Sequence, residues 1–92
     1  MTVQMRRYRL REGATEGFLR FFREVVVPLR KEVGFHILGA YLLSKQEFLW
    51  FVAHENFEEA EKAYYAHPRR QGVDSGAYIA EMEVRFVEAL EV

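Results

Sequence analysis

The sequence predicts an α+β domain of order β-α-β-β-α-β, and three observations carry that prediction. Val3 to Arg11 and Tyr78 to Leu90 alternate in the manner of strands with two unlike faces. Glu16 to Val33 repeats its apolar residues at helical spacing, and the shorter stretch from Asn56 to Pro68 does the same. Between the helices lies HILGAYLLSKQEFLWFVAH, His36 to His54, two apolar runs joined at Ser44–Glu47 and read as a hairpin. Right-handed crossovers turn this order into a four-stranded antiparallel sheet of order 4-1-3-2, with both helices on one face.

In the first strand Val3, Met5, Arg7 and Arg9 share one face, and Gln4, Arg6, Tyr8 and Leu10 share the other. Glu12–Gly13 turns the chain, and Thr15 is the expected N-cap of the first helix. Phe18, Phe22, Val25, Val26, Leu29 and Val33 form its apolar stripe; Glu16, Arg20, Arg23, Glu24, Arg30 and Lys31 form the opposite, polar face. Pro28 lies inside the pattern and predicts a kink or break, because it lacks an N–H and crowds the carbonyl of Glu24. Gly34 suits the position just past the helix end. Asn56 is the expected N-cap of the second helix, with Glu59 in capping-box position, and Pro68 ends that helix. Arg69 to Gly76 reads as a polar loop.

The hairpin strands are apolar on both faces, so both faces need cover. With an even register, Leu38, Ala40, Leu42, Leu49, Phe51 and Ala53 go under the helices, beside Tyr8, Leu10, Ala80, Met82, Val84 and Phe86. The open face then carries Ile37, Tyr41, Leu43, Phe48, Trp50, Val52 and His54 next to a ladder of Met5, Arg7, Arg9, Glu81, Glu83 and Arg85. A slip of one residue would exchange the hairpin faces. An apolar patch of very roughly 400 Å² is unusual on a monomer. The expectation is a homodimer with the two sheets face to face around a cleft.

The 92 residues suit one domain. A formal net charge of -1 argues against nucleic-acid or membrane-surface partners. Glu81 and Glu83 would also repel phosphates. The absence of cysteine removes disulfides, thiolate metal sites and a cysteine nucleophile, and suits a reducing compartment. No apolar run reaches membrane-spanning length, and the expected location is cytoplasmic. His36, His54 and His67 lack metal-ligand spacing, and there is no phosphate loop, nucleophile elbow or paired acid motif.

Arg6-x-Tyr8-x-Leu10 followed by Gly13, the Phe/Leu-rich helix with Pro28, Gly39, and Trp50 followed by Asn56-Phe57-Glu58-Glu59-Ala60 resemble a NIPSNAP-family domain over nearly the whole chain. The resemblance implies a ferredoxin-like domain that forms a dimeric α/β barrel. It implies no catalytic residues. Arg69 to Gly76 is shorter than the helical stretch that usually follows in the family. The candidate cleft residues are Arg7, Arg9, Tyr41, Trp50, His54, Glu81 and Glu83, holding a small molecule with no cofactor required. The same barrel fold hosts cofactor-free monooxygenases and haem-degrading enzymes, which gives an enzymatic alternative. There Trp50 would serve as the aromatic wall, His54 as acid/base or haem ligand, and Arg7 and Arg9 as anchors for an anionic substrate. The plainer readings are a strand-end histidine satisfied by backbone and a structural ion-pair ladder.

Overall fold

The computed structural model describes residues 1–92. Strands β1 (Thr2–Leu10), β2 (His36–Ser44), β3 (Glu47–His54) and β4 (Ile79–Val87) form one antiparallel sheet of order β2-β3-β1-β4. This is the order 4-1-3-2 read from the other edge. Helix α1 (Thr15–Phe21) runs through a π-helical turn (Phe22–Val26) into α2 (Val27–Glu32), and α3 (Phe57–Ala66) follows the hairpin. A short 3-10 turn (Ser75–Ala77) leads into β4.

Pro28 neither breaks nor ends the helix. It has no N–H to give, and the wider π turn just ahead of it lets the chain pass without a clash. The consequence is rotational. A π turn adds one residue to the helical path, and each residue corresponds to about 100° of rotation. Side chains beyond the turn therefore face about one position away from where a regular helix would put them. Arg30, expected on the polar face, is turned inward and is only 1% exposed. Val27 likewise packs against the core. Gly34 closes α2 as expected, with φ +92°. The Phe35 N–H donates to the Arg30 carbonyl and the Gly34 N–H to the Lys31 carbonyl, a Schellman termination.

Both expected side-chain caps are replaced. Ala14 holds the cap position of α1, and the Thr15 hydroxyl instead donates to the Lys45 carbonyl at 2.6 Å, fixing the helix start to the hairpin turn. Asn56 does occupy the cap position of α3, but its side chain makes no capping bond. Its N–H donates to His54 Nδ1 at 2.8 Å.

The alternation of β1 holds throughout. Tyr8 pairs with Met82 and Phe48, Arg6 with Val84 and Trp50, and Gln4 with Phe86 and Val52, all facing the helices. A register shift after Arg9 pairs Leu10 with Ile79, so Ile79 takes the inner place expected for Ala80. The hairpin follows the slipped register. Phe48, Trp50, Val52 and His54 lie on the helix side, while Leu49, Phe51 and Ala53 line the open face, the reverse of the expectation. In β2, Ala40 and Leu42 lie on the helix side, and Tyr41 lies opposite Leu49 on the open face, as expected. Ile37 pairs with Val52 and so joins the helix side, because the strand bulges at Leu38, between Ile37 and Gly39. That extra residue breaks the simple parity of the run.

The core gathers where α1, the π turn, α2 and α3 cross the two central strands. Phe18, Phe22, Phe48, Trp50 and Tyr8 meet ring to ring at centroid distances of 4.9 to 6.2 Å. The helices cover the outer strands only in part; Phe57 meets Phe86 edge to face at 5.3 Å. Met82, Val84 and Phe86 face the helix side as expected, yet they remain exposed.

A candidate binding pocket between the helices and the sheet

The expected cleft residues separate into two groups. Arg7, Arg9, Tyr41, Glu81 and Glu83 do share the open face. There Arg7 pairs with Glu47 of β3 at 2.8 Å, Arg9 with Glu81 of β4 at 2.9 Å, and Arg85 with Glu83 at 2.6 Å. Each guanidinium is thus matched by a carboxylate, over a shallow open groove. Tyr41 lies flat over Gly39, where a Cβ would meet its hydroxyl at 2.6 Å. The Arg7 hydrogen bond holds Glu47 below the usual carboxylate range, and the Arg9 hydrogen bond does the same for Glu81.

Both carboxylates have folded-state pKa values below their unfolded ones, so their stabilising contribution is present above about pH 4.3. It disappears as pH falls through the folded values. In an NMR titration Glu47 and Glu81 are expected to lose their protons below the ordinary glutamate range. Arg7→Gln should return Glu47 alone to that range, and Arg9→Gln should return Glu81 alone. Unchanged titration in these variants would dissolve the ladder.

Trp50 and His54 are not in that group, because the slipped register places them beneath the helices. His54 Nδ1 accepts from the Asn56 N–H, and Nε2 lies 3.1 Å from the Val33 carbonyl, so both ring nitrogens are engaged. The imidazole pins the end of α2 to the start of α3. It is the backbone-satisfied strand-end histidine, with no free nitrogen for a metal. His67 is similarly placed, accepting from the Arg69 N–H, and with Glu32 and Arg69 it ties the loop to α2.

Trp50 instead forms the floor of a cavity of about 130 Å³ between the sheet and the helices. Phe18, Phe21, Phe22, Tyr8, Tyr64 and Tyr65 supply most of its wall, and Arg6, Arg30 and Arg70 supply its charge. Arg6 comes from the inward face of β1. Its Nε donates to the Tyr8 hydroxyl at 2.6 Å, one terminal nitrogen donates to the Gln4 side-chain Oε1 at 2.9 Å, and the other meets Met82 Sδ at 3.5 Å. Burial works to lower its pKa, but Tyr8, Tyr65 and Glu61 outweigh that, so the guanidinium is held above its ordinary value and stays charged. Arg30 comes from the rotated helix. It lies 4.0 Å from the Tyr64 ring centroid and 4.7 Å from that of Phe35. Arg70 donates to the Tyr64 hydroxyl and the Val73 carbonyl, both at 3.1 Å.

Arg6, Arg30 and Arg70 are absent from the expected site. Arg6 was readable, since it lies between Gln4 and Tyr8 on the parity assigned to the core. Arg30 was concealed by the π turn.

The fold is a ferredoxin-like α+β sandwich, with a partly open pocket between its own helices and sheet. No protein-family model matches the chain, and no curated protein matches it. Solved structures do. An uncharacterized NIPSNAP domain protein from Burkholderia xenovorans superposes with a TM-score of 0.80 at 18% identity, over 98% of this chain and 95% of that one. A NIPSNAP family protein with unknown function from Agrobacterium tumefaciens superposes at 0.74 and 19% identity, over 95% and 86%. An antibiotic biosynthesis monooxygenase superposes at 0.72 and 14% identity, over 99% and 100%. The likeness to NIPSNAP domains expected from the sequence therefore holds for the fold. No helix is long and apolar enough to cross a membrane.

Proposed function

We propose that this chain is a small-molecule-binding protein that takes its ligand between its own helices and sheet and works as a homodimer joined through the open sheet faces. The observation that carries the first part is the aromatic cavity containing charged guanidiniums. Enclosed apolar space with a few convergent polar groups is the usual make-up of a ligand site. The open-face ladder is less suited to the task, because its charges already pair with one another. What supports the second part is the apolar patch on the same face, an exposed Tyr41 beside half-buried Met5, Leu49, Phe51 and Val87. In such a dimer the barrel would form around the ladder.

The two parts separate experimentally. Leu49→Lys with Phe51→Lys is expected to convert a dimer to monomers in sedimentation equilibrium. A parent protein that already sediments as a monomer removes the assembly. Titration with a single-ring aromatic should move the NMR signals of the Trp50 indole and Tyr64. Signals moving only at Tyr41 and Leu49 would transfer the site to the sheet cleft.

The monooxygenase likeness favours one second reading, oxidation of an aromatic substrate in this same pocket. Turnover that requires Trp50, and is lost in Trp50→Phe, would support it. Haem does not fit: His54 offers no free nitrogen, and a macrocycle is far larger than a 130 Å³ cavity.

A further inference from the structure

Resting on the pocket reading, we infer that the ligand is a compact aromatic anion, a single ring bearing a carboxylate or an equivalent acidic group, held by Arg6 and Arg30. The first ground is charge. Three guanidiniums line the cavity, and Glu61 is the one carboxylate that pairs with Arg6 and Arg30. Both pairs fall on the same oxygen, Oε2, at 3.6 and 3.4 Å. Charge-assisted hydrogen bonds normally close to about 2.7–2.9 Å, so neither contact is a full bond. Arg70 has no carboxylate at all, only a phenol and a carbonyl. The pocket therefore holds more positive charge than its own acid neutralises.

The second ground is unmet hydrogen bonding. Arg30 Nε and Trp50 Nε1 are buried donors without partners, and both residues line this cavity. Such orphans are scarce in folded proteins. Two in one wall, beside under-paired guanidiniums, describe a site deficient in acceptors. An anion supplies acceptors and charge together; a neutral alcohol or amide supplies only part of that.

The third ground is size and surface. The cavity measures about 130 Å³, and an apolar cavity of roughly 150 Å³ in another protein takes up benzene. One ring fits; a fused polycycle does not. Tyr8, Phe22 and Trp50 offer faces and edges to such a ring, while Arg6 and Arg30 reach its acidic end. Glu61, part-exposed at the pocket margin, is the group that an incoming carboxylate would displace from the two arginines. Inorganic anions lack the ring and would gain only the charge.

Matched probes test this, with binding read from the Trp50 indole NMR signal. Benzoate is expected to bind at least about tenfold more tightly than benzamide, the same shape without charge. Inorganic phosphate should compete weakly or not at all. Arg30→Met should reduce benzoate to the level of benzamide. Arg70→Met, altering a less buried arginine, should weaken benzoate several-fold and leave benzamide unchanged. This second variant serves if Arg30→Met does not fold. Equal binding of benzoate and benzamide to the parent protein would overturn the anionic ligand and leave the pocket standing. Failure of any single-ring aromatic, charged or neutral, to move the Trp50 signal would remove the pocket reading and this inference with it. Phosphate binding as tightly as benzoate would overturn the aromatic half alone.

Discussion

Truncating Trp50 to alanine is expected to destabilise the protein by about 3–5 kcal/mol. That is a large share of the roughly 5–15 kcal/mol that holds a typical domain together. The indole is 1% exposed. It meets Phe22 edge to face at 5.1 Å, and the Arg6 and Arg30 guanidiniums lie 6.0 and 5.6 Å from its ring. Removal would join the vacated volume to an existing cavity and strip both cations of an aromatic neighbour. One term works the other way, since the unpartnered Nε1 goes too. Trp50→Phe should therefore lose much less than Trp50→Ala. Urea unfolding followed by circular dichroism reads both, with Tyr41→Ala on the open face as the comparison. Were Trp50 on the open sheet face, its truncation would cost no more than that of Tyr41 and would act on assembly instead. Equal midpoints for the two variants would return Trp50 to the face where unbroken alternation puts it.

Arg30 should respond very unequally to two substitutions. Arg30→Ala is expected to lose about 3 kcal/mol, because it opens space beside Tyr64 and Phe35 and leaves Glu61 with one distant partner. Arg30→Met keeps most of the volume and removes a buried charge. Replacing buried ions with apolar groups of similar bulk is often neutral or stabilising. The methionine variant is expected to fall within about 1 kcal/mol of the parent, on either side. Unfolding midpoints compared across the three proteins check this. If methionine harms the fold as much as alanine does, the guanidinium is there to hold the core, through its stack on Tyr64 and its pairing with Glu61.

What could be read from the chain, and what could not, follows from where its patterns are one-sided. β1 and β4 alternate unlike residues, so their faces were assignable: Tyr8 and Met82 inward, Arg9 and Glu81 outward. The hairpin runs are apolar at every position from Phe48 to Ala53. No parity marks the inner face, and a bulge at Leu43, invisible in composition, sets Phe48 rather than Leu49 opposite Leu42 and so sends Phe48, Trp50 and Val52 under the helices. That one ambiguity moved Trp50 and His54 out of the expected cleft. The helix stripe was correct through Leu29 and Val33, but the π turn brings Val27 and Arg30 inward beside them, and Arg30 was mislaid for that reason. Ala14 rather than Thr15 caps α1 because the Thr15 hydroxyl goes to the Lys45 carbonyl; Asn56 does hold the cap of α3, but His54 takes the Asn56 N–H that a capping box gives to Glu59. The open-face half of the site was legible because charged residues announce themselves by type. The pocket was not, since its charge is hidden among aromatics contributed by every layer of the fold.

The π turn at Phe22–Val26 works like a shim in a threaded rod. It leaves the rod's direction alone and changes only the clocking of everything screwed on after it. Two chains of this fold that differ by a single residue in that turn would offer their pockets different side chains from the same stretch of α2, with the rest of the framework unaltered. Specificity could then be reset by length, without any exchange of residues inside the cavity.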